Sequence, residues 1–385
     1  MLGQTQLYLQ HRDKTTVTFA IVARGVSHQA LISWHDLKYL GVISPNFPDA
    51  QCSATSAVQL RDKILSSFPT VFRDVITETP MVGEPVHIHL RENAVPFRIS
   101  VARPIPLRFQ EAAEKSIKLL LDAKIIARCD TPTEWCSPGF FVLKGDGKSV
   151  RLVTDYTKLN SFVERPVHPF PSVIDILQAI PASAKLFAKF DAVNGYFQIP
   201  LDEHSSRLTT FLLPSGRYRY LRIPQGLNAS SDEWCRRSDA VVEGLAWARK
   251  IVDDILIWGE DIASLHARIL EISNRAKALN VILSRKKFVI GDELPFAGYI
   301  VSSKGISPNQ ERVSAIKDFP TPVDTTGIKS FMGLANQLSF FIPDFAHQTR
   351  GMRALLGKNT VFQWLPEHQE AVSYTHLTLP TIYSV

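Results

Sequence analysis

Two adjacent carboxylates, Asp253 and Asp254, interrupt an apolar run that extends from Ile251 to Trp258. Burying two unpaired carboxylates side by side is costly, because each loses hydration and the two repel. A basic side chain or a divalent metal must therefore compensate them. Asp191 lies upstream in a similar apolar run. Hard oxygen ligands from two strands suit Mg²⁺, and a pair of such ions can activate a hydroxyl nucleophile and stabilise a leaving pyrophosphate. The alternative is a hairpin tip, where an Asp-Asp pair is ordinary turn chemistry.

Short strands are expected to position these carboxylates. The stretch 185–193, KLFAKFDAV, is strand-like. The stretch 249–259, RKIVDDILIWG, is apolar, then acidic, then apolar again. It is too short for a helix and long enough for a hairpin, so the acidic pair is expected near a turn.

The surrounding chain alternates predicted hairpins with predicted helices. A helix is expected over 230–245. A longer amphipathic helix follows, because apolar residues recur three and four positions apart between Leu265 and Leu279. Hairpins with helices packed on one face indicate an α+β fold for 86–300, and 305–356 is predicted to be helical.

Composition excludes several classes of protein. The chain has 385 residues, 45% hydrophobic residues and a formal net charge of +6, which argues against a disordered chain. Its four cysteines form no C-x-x-C pair, so neither a disulfide scaffold nor a structural zinc site is expected. No uncharged apolar run approaches the roughly 18 residues that a membrane span needs, and the N-terminus lacks a secretory signal pattern. The charge permits a polyanionic partner without requiring one.

Six segments in one order resemble the reverse transcriptase of retroviruses and gypsy-type LTR retrotransposons. These segments are 125–160, 187–201, 216–234, 250–259, 296–306 and 328–345. The resemblance implies a right-hand polymerase with fingers, a palm built on an antiparallel sheet, and a helical thumb. It also implies RNA- and DNA-directed DNA synthesis, in which two Mg²⁺ ions, or Mn²⁺ as a substitute, assist the transfer of a dNTP onto a primer 3′-hydroxyl.

The resemblance assigns catalytic and metal-binding roles to the carboxylates. Asp191 matches the first catalytic acid of the palm, and Asp253 and Asp254 match the acidic pair of the Tyr-x-Asp-Asp motif. Side chains of neighbouring strand residues point to opposite faces. Asp253 and Asp254 are therefore not expected to ligate equally.

Four further residues match family positions that hold the incoming dNTP. Lys144 and Arg151 match the finger residues at the triphosphate, where an ammonium and a guanidinium fork suit a polyanion. Tyr196 matches the aromatic residue under the sugar, which leaves no room for a 2′-hydroxyl. Gln225 matches a glutamine near the 3′-hydroxyl in retroviral relatives. The alternative for Lys144 and Arg151 is that they are solvated charges on a hairpin, and the alternative for Tyr196 is that it is an ordinary aromatic residue of a core.

Template and primer contacts are assigned in the same way. Ala297, Gly298 and Tyr299 match the hairpin that grips the primer, where glycine lets a backbone approach phosphates closely. The basic run 285–287 is a candidate for phosphate contacts, with a solvated surface as the alternative.

Two departures from the family pattern leave a second function open. Ile251 replaces the usual aromatic residue before x-Asp-Asp, and Val150 replaces the usual Trp before Arg151. Neither change removes a carboxylate, so catalysis is expected to survive. The alternative is an inactive or co-opted reverse transcriptase fragment that binds nucleic acid without polymerising.

The ends of the chain are expected to derive from neighbouring parts of a Pol polyprotein. Residues 1–43 resemble the C-terminal part of a retropepsin-like protease, with strands and a closing helix at 30–43, but lack the Asp-Thr/Ser-Gly motif. An unrelated β-unit is the alternative. No RNase H or integrase site is expected in this sequence. The expected domains are 1–43 protease remnant, 44–85 linker, 86–290 fingers and palm, 291–356 primer-grip hairpin and thumb, 357–372 start of a connection toward RNase H, and 373–385 a non-native tail.

The expected partners are an RNA template, a DNA or RNA primer duplex, dNTPs, and the protease, RNase H and integrase segments of the parent polyprotein. No membrane partner is expected. The expected location is the cytoplasm, within a virus-like particle, with the nucleus as the alternative and secretion excluded.

Overall fold

A computed structural model describes residues 3–11, 14–22, 51–342, 344–357 and 360–378. The helix expected at 30–43 and the last seven residues of the chain, 379–385, lie outside the described residues. The chain divides into two compact units, Met1–Gln59 and Leu60–Val385. Within the described residues, no helix is both long enough and apolar enough to cross a membrane.

The first unit contains an antiparallel hairpin. Its strands Gly3–His11 and Lys14–Val22 pair along their full length, from Gly3 opposite Val22 to His11 opposite Lys14. These strands match the β-structure expected near the N-terminus. The assignment of residues 1–43 to a protease remnant stays a prediction.

The second unit contains three sheets. The four-stranded sheet has the strand order Val289–Gly291, Leu186–Asp191, Asp254–Gly259 and Ala248–Ile251. The five-stranded sheet has the order Ile126–Arg128, Gly216–Tyr220, Phe211–Leu213, Ser137–Leu143 and Val150–Thr154. The three-stranded sheet has the order Glu293–Phe296, Tyr299–Ser302 and Gly305–Pro308.

The two central strands of the four-stranded sheet, Leu186–Asp191 and Asp254–Gly259, are buried on both faces, which explains their continuous apolar sequences. Phe190 and Ile257 belong to one hydrophobic cluster, whereas Phe187 and Leu256 belong to a second cluster. Successive side chains of a strand point to opposite faces, so each of these two strands supplies both clusters. A strand with two buried faces reads as a near-continuous apolar run.

Twelve helices are described: Gln51–Ser67, Gln110–Asp122, Thr157–Asn160, Val173–Gln178, Glu203–Leu208, Ser230–Ser238, Ile262–Ala278, Gln310–Lys317, Thr325–Gln337, Phe345–Gln348, Arg350–Ala354 and Pro366–Thr378. Short 3₁₀ turns lie at Leu107–Phe109, Gly195–Gln198, Asp239–Val241 and Ser339–Phe341.

The predicted amphipathic helix is confirmed, and the helix before it is shorter than expected. Helix Ile262–Ala278 begins with a capping box, in which Asp261 accepts from the backbone of Ser264 while the Ser264 side chain is bonded to the backbone N–H of Asp261. The expected 230–245 helix ends at Ser238 and continues only as a 3₁₀ turn. The Ser238 hydroxyl donates back to the Trp234 carbonyl at 2.6 Å, a local bond that competes with continued helix.

Part of the expected 44–85 linker is packed into the second unit. That unit begins at Leu60, and Ile64, Phe72 and Met81 are 1%, 3% and 2% exposed. Leu60, Ile64 and Phe68 recur at helical spacing, and a short helix is predicted around Ile64 and Leu65, within the observed helix Gln51–Ser67. From 69 to 85 the apolar residues are interrupted by prolines and a glycine, without a helix or strand period, so the packing of this part is not predicted from the sequence.

Candidate active site

The three predicted catalytic acids meet at one end of the four-stranded sheet. Strands Leu186–Asp191 and Asp254–Gly259 are antiparallel neighbours, and their register places Asp254 directly opposite Asp191. The backbone N–H of Ala192 donates to the carbonyl of Asp253 at 2.9 Å. The hairpin expected around the acidic pair is present, with Ala248–Ile251 as its other strand. The sequence therefore predicted this convergence correctly.

The turn that presents Asp253 has an unusual backbone. Val252 has φ +50°, a left-handed conformation that is rare for a β-branched residue. The indole N–H of Trp234 donates to the Val252 carbonyl at 2.9 Å and helps to hold this turn. A Cβ atom on Gly195 would lie 2.5 Å from the Trp234 ring and 2.6 Å from Asp253 Oδ1. Only glycine fits between the Val252 turn and helix Ser230–Ser238, which carries Trp234.

Lysine side chains compensate two of the carboxylates. Lys287 Nζ donates to both carboxylate oxygens of Asp191 at 2.9 Å. Lys189 Nζ lies 3.1 Å from Asp254 Oδ1. Burial raises the pKa of Asp254, and the neighbouring Lys189 offsets part of this effect.

Among the described residues, no basic side chain forms an ion pair with Asp253, although Lys250 and Lys287 are close enough to lower its pKa slightly against the raising effects. Its Oδ1 atom is buried and receives no hydrogen bond from any described residue. Burial, followed by the negative charges of Asp191 and Asp254, raises the pKa of Asp253 to about 6. A carboxylate that is buried, close to two other acids and unpaired costs free energy unless a cation binds it.

This donor set fits a divalent cation. Asp191 and Asp253 supply the hard oxygen atoms that Mg²⁺ and Mn²⁺ prefer, and the Asp253 oxygen lacks another partner. Within the described residues, no group of three acidic, histidine or cysteine side chains is already arranged to hold an ion. Asp191 is engaged by Lys287, so binding an ion there requires the ammonium to release that carboxylate.

Most of the predicted nucleotide-binding and metal-binding residues line one cavity of about 570 Å³ beside this turn. They are Arg151, Asp191, Tyr196, Gln225 and Asp253. Arg151, Gln225 and Asp253 come from separate segments of the chain, and only the family resemblance groups them with Asp191 and Tyr196. The cavity combines acids with a guanidinium and an aromatic ring.

Tyr196 forms part of the wall of this cavity. Its hydroxyl lies 3.0 Å from Ser231 Oγ, which fixes the direction of the ring. Burial raises the pKa of the Tyr196 phenol, so the group is neutral at physiological pH. The ring is partly buried and still reaches the cavity.

Lys144 is not brought to this cavity. It lies just beyond the strand end at Leu143, where its backbone N–H donates to Ser149 O at 2.9 Å. It lines a different cavity of about 490 Å³, together with Lys115 and Lys148. Arg151 lies one residue inside its strand, opposite Val142, whereas Lys144 lies just beyond the end of its own strand, at the hairpin tip.

The predicted primer-grip residues form a tight turn away from the cavity. Ala297 and Gly298 have φ +51° and +88° and connect strands Glu293–Phe296 and Tyr299–Ser302. A Cβ atom on Gly298 would collide with the guanidinium of Arg312, so glycine permits a close approach here. The Tyr299 hydroxyl donates to the Gln337 carbonyl at 2.8 Å and ties the turn to a helix.

The sequence does not predict that several further residues line the cavity: Asp74, Asn194, Ser284, Lys286 and Lys287. For the basic run 285–287, the sequence predicts only phosphate contacts along the duplex.

A buried glutamine is also not predicted from the sequence. The Gln198 amide donates to the Val193 and Ile282 carbonyls, both at 2.9 Å, and accepts from the Ile282 N–H at 2.8 Å. No local motif marks Asp74, Ser284 or Gln198, because their hydrogen bonds join distant segments.

Comparison with known proteins shows what the central part of the chain is similar to. Residues 142–301 match the family model described as reverse transcriptase (RNA-dependent DNA polymerase). The chain is 26% identical to the retrovirus-related Pol polyprotein from transposon 412 of Drosophila melanogaster, over 97% of this chain and 32% of that protein. It is 25% identical to the Transposon Tf2-3 polyprotein of Schizosaccharomyces pombe, over 91% of this chain and 27% of that protein. The chain thus spans about a third or less of these relatives.

Solved structures show the same fold. A foamy viral protease-reverse transcriptase, dRH, in complex with double-stranded DNA has a TM-score of 0.76 at 17% identity, covering 99% of this chain and 69% of that one. A foamy viral protease-reverse transcriptase in complex with an RNA/DNA hybrid has a TM-score of 0.72 at 18% identity, covering 98% and 52%. The predicted α+β polymerase fold is therefore confirmed. Residues 142–301 are thus similar to reverse transcriptases, and the chain as a whole is similar to retrotransposon and retrovirus-related Pol polyproteins.

Proposed function

We propose that this chain is an RNA-directed and DNA-directed DNA polymerase that adds dNTPs to a primer 3′-hydroxyl with two Mg²⁺ ions, or with Mn²⁺ as a substitute. The observation that supports this most strongly is the single cavity that Arg151 and Tyr196 line together with Asp191 and Asp253. Polymerisation needs carboxylates for the ions, a cation for the triphosphate and a wall for the sugar, and the cavity contains each of them.

The carboxylates of Asp191 and Asp253 would hold the ions, with Asp254 beside them. When bound, the ions lower the pKa of the attacking hydroxyl and stabilise charge on the leaving pyrophosphate. The protein contributes mainly position and charge to phosphoryl transfer. Asp253 fits this role because its Oδ1 atom is desolvated and lacks a hydrogen-bond partner in the described chain.

Basic side chains around the cavity would bind the triphosphate. The Arg151 guanidinium offers a planar fork to phosphate oxygens, and Lys286 and Lys287 line the same cavity. Lys144 lies at the tip of the 137–154 hairpin. In this proposal it contacts the triphosphate only after the hairpin moves toward the cavity.

Tyr196 would select the sugar. A rigid ring against the ribose leaves no space for a 2′-hydroxyl, and the contact with Ser231 limits the ring's freedom to move aside. Gln225 lines the same cavity and supplies an amide within it.

The proposed macromolecular partners are an RNA template and a DNA or RNA primer, with the turn at Ala297 and Gly298 placed against the primer backbone. Two foamy viral relatives of this fold were solved with double-stranded DNA and with an RNA/DNA hybrid. The parent protein is proposed to be a Pol polyprotein with protease, RNase H and integrase segments, acting in the cytoplasm within a virus-like particle.

Primer extension tests this function. The experiment supplies poly(rA)–oligo(dT), dTTP and Mg²⁺ to the full chain and to two variants, Asp253→Asn and Asp62→Asn. Asp62 is an exposed helix residue and serves as a matched charge control. We expect extension by wild type and Asp62→Asn, and a loss of at least about 100-fold in Asp253→Asn. Wild-type incorporation no greater than that of Asp253→Asn would reject the proposal. Salt-dependent duplex binding without extension would instead support the non-polymerising alternative.

A further inference from the structure

A segment that precedes the matched reverse transcriptase residues forms part of the cavity wall. Val71 and Arg73 exchange backbone hydrogen bonds with Leu283, each at 2.9 Å. The Phe72 ring packs on Phe288 with ring centroids 4.8 Å apart. This pairing fixes the chain so that the next residue, Asp74, lines the cavity that contains Asp191.

Asp74 holds the turn at residues 284–287. Its Oδ1 atom accepts a hydrogen bond from Ser284 Oγ at 2.9 Å and a second from the Lys286 N–H at 3.1 Å. Ser284 Oγ in turn accepts from the Lys287 N–H at 3.3 Å. One carboxylate oxygen therefore organises both the side chain and the backbone of this turn.

The same turn holds the first predicted catalytic acid. The Ser284 N–H donates to the Asp191 carbonyl at 2.7 Å, and the Lys287 ammonium donates to both Asp191 carboxylate oxygens at 2.9 Å. Asp191 is thus fixed at its backbone and at its side chain by the turn that Asp74 supports.

We propose that Asp74 is a positioning residue for polymerisation: it fixes the Ser284–Lys287 turn and, through that turn, the orientation of Asp191. The proposal rests on the proposed polymerase function. It places one determinant of the active site outside residues 142–301, in a segment about 200 residues away from the turn that it supports.

The alternative is that Asp74 acts directly within the cavity, without the turn as an intermediary. Its carboxylate lines the cavity with Asp191 and Asp253 and would there act through its negative charge, on an ion or on a basic side chain. The two roles differ in what they require of the side chain. Positioning requires an acceptor oxygen at the place of Oδ1, which asparagine also supplies. A direct electrostatic role requires the charge, which asparagine lacks.

The experiment compares Asp74→Asn, Asp74→Ala and the control Asp62→Asn with wild type in the full chain. Two readouts are used: hydrogen exchange of the backbone amides of 284–287, which does not depend on catalysis, and steady-state extension of poly(rA)–oligo(dT). We expect Asp74→Ala to accelerate exchange in the turn about fivefold or more and to lower kcat about fivefold, because it loses two hydrogen bonds. Asp74→Asn is expected to stay within about twofold of wild type in both readouts, and KM for dTTP to change less than kcat in Asp74→Ala.

Equal loss of kcat in Asp74→Asn and Asp74→Ala overturns the positioning role in favour of the direct one. Unchanged exchange in Asp74→Ala overturns it as well, because the turn would then not depend on Asp74. If wild type fails to extend any primer, the polymerase function is rejected. The exchange measurement then separately decides whether Asp74 holds the turn.

Discussion

The Lys287 ammonium donates to both carboxylate oxygens of Asp191 at 2.9 Å, and its side chain is 64% exposed while that of Asp191 is only 15% exposed. The lysine therefore reaches in from solvent to neutralise an acid at the end of the sheet. A divalent cation at Asp191 competes with this ammonium for the same oxygens.

Replacing Lys287 with methionine is expected to strengthen divalent-ion binding in the absence of nucleotide. The ion no longer displaces an ammonium, and solvent screening of the exposed lysine limits the gain to roughly fivefold. Calorimetric titration with Mn²⁺ measures this affinity. Lys277→Met, an exposed position on helix Ile262–Ala278, is the control. Equal Mn²⁺ affinity in wild type and Lys287→Met would contradict the competition.

Asp253 is expected to make stability depend on pH in metal-free protein. Its pKa is raised to about 6 from 3.8, so between about pH 4 and 6 the folded chain binds a proton that the unfolded chain has released. The free energy of unfolding contributed by this group therefore falls as pH rises through that window. Asp253→Asn removes the dependence and is expected to be more stable than wild type at pH 7 by about 1–2 kcal/mol.

Denaturant unfolding in EDTA across pH 4 to 8 checks this prediction. The difference between wild type and Asp253→Asn is expected to grow with pH up to about 6 and then to level off. Parallel profiles for the two proteins would show that the pKa of Asp253 is not raised.

Gly195→Ala is expected to damage both stability and catalysis. The added methyl group would lie 2.5 Å from the Trp234 ring and 2.6 Å from Asp253 Oδ1. Either helix Ser230–Ser238, which carries Trp234, or the Val252 turn must therefore shift. Overpacking of this kind costs about 1–3 kcal/mol, and the shift displaces a catalytic carboxylate. Gly333→Ala is the control, because a Cβ atom there meets nothing within 4 Å. Thermal unfolding and primer extension measure the two effects, and wild-type behaviour of Gly195→Ala would refute the close packing.

Tyr196→Ala is expected to admit ribonucleotides by removing the ring that excludes a 2′-hydroxyl. Tyr196→Phe keeps the ring and loses only the contact with Ser231, so it is expected to retain most of the selectivity. The ratio of dTTP to UTP incorporation on one primer–template measures the effect, with a shift of at least about tenfold expected for alanine. An unchanged ratio in Tyr196→Ala would remove Tyr196 from sugar selection.

The sequence predicts elements well where burial is strong and periodic. Strands Leu186–Asp191 and Asp254–Gly259 were recognisable because both faces of their sheet are buried, which leaves Asp191 and the Asp253–Asp254 pair conspicuous. The helix Ile262–Ala278 was recognisable from its apolar spacing. The packing of the 69–85 segment is not recognisable from its sequence, because the segment packs through irregular contacts such as the bond from the Met81 N–H to the Gln198 carbonyl at 2.7 Å.

The residues of the site also differ in how far the sequence predicts them. Asp191 and Asp253 stand out locally, since an acid in an apolar strand needs a partner. Arg151 and Tyr196 were found through family resemblance, and the structure brings them to the same cavity. Asp74 and Ser284 carry no local signal, because their hydrogen bond joins residues 210 positions apart. Long-range pairing of this kind is set by the tertiary fold and leaves no spacing pattern in the sequence.

An anomalous diffraction map from crystals soaked with Mn²⁺ and a nonhydrolysable dNTP analogue would show where the ions bind. We expect manganese peaks in contact with the carboxylates of Asp191 and Asp253, with Lys287 withdrawn from Asp191 and the triphosphate near Arg151. Manganese bound elsewhere, with Asp191 and Asp253 left unliganded beside a bound nucleotide, would contradict the claim that these two acids form the metal site.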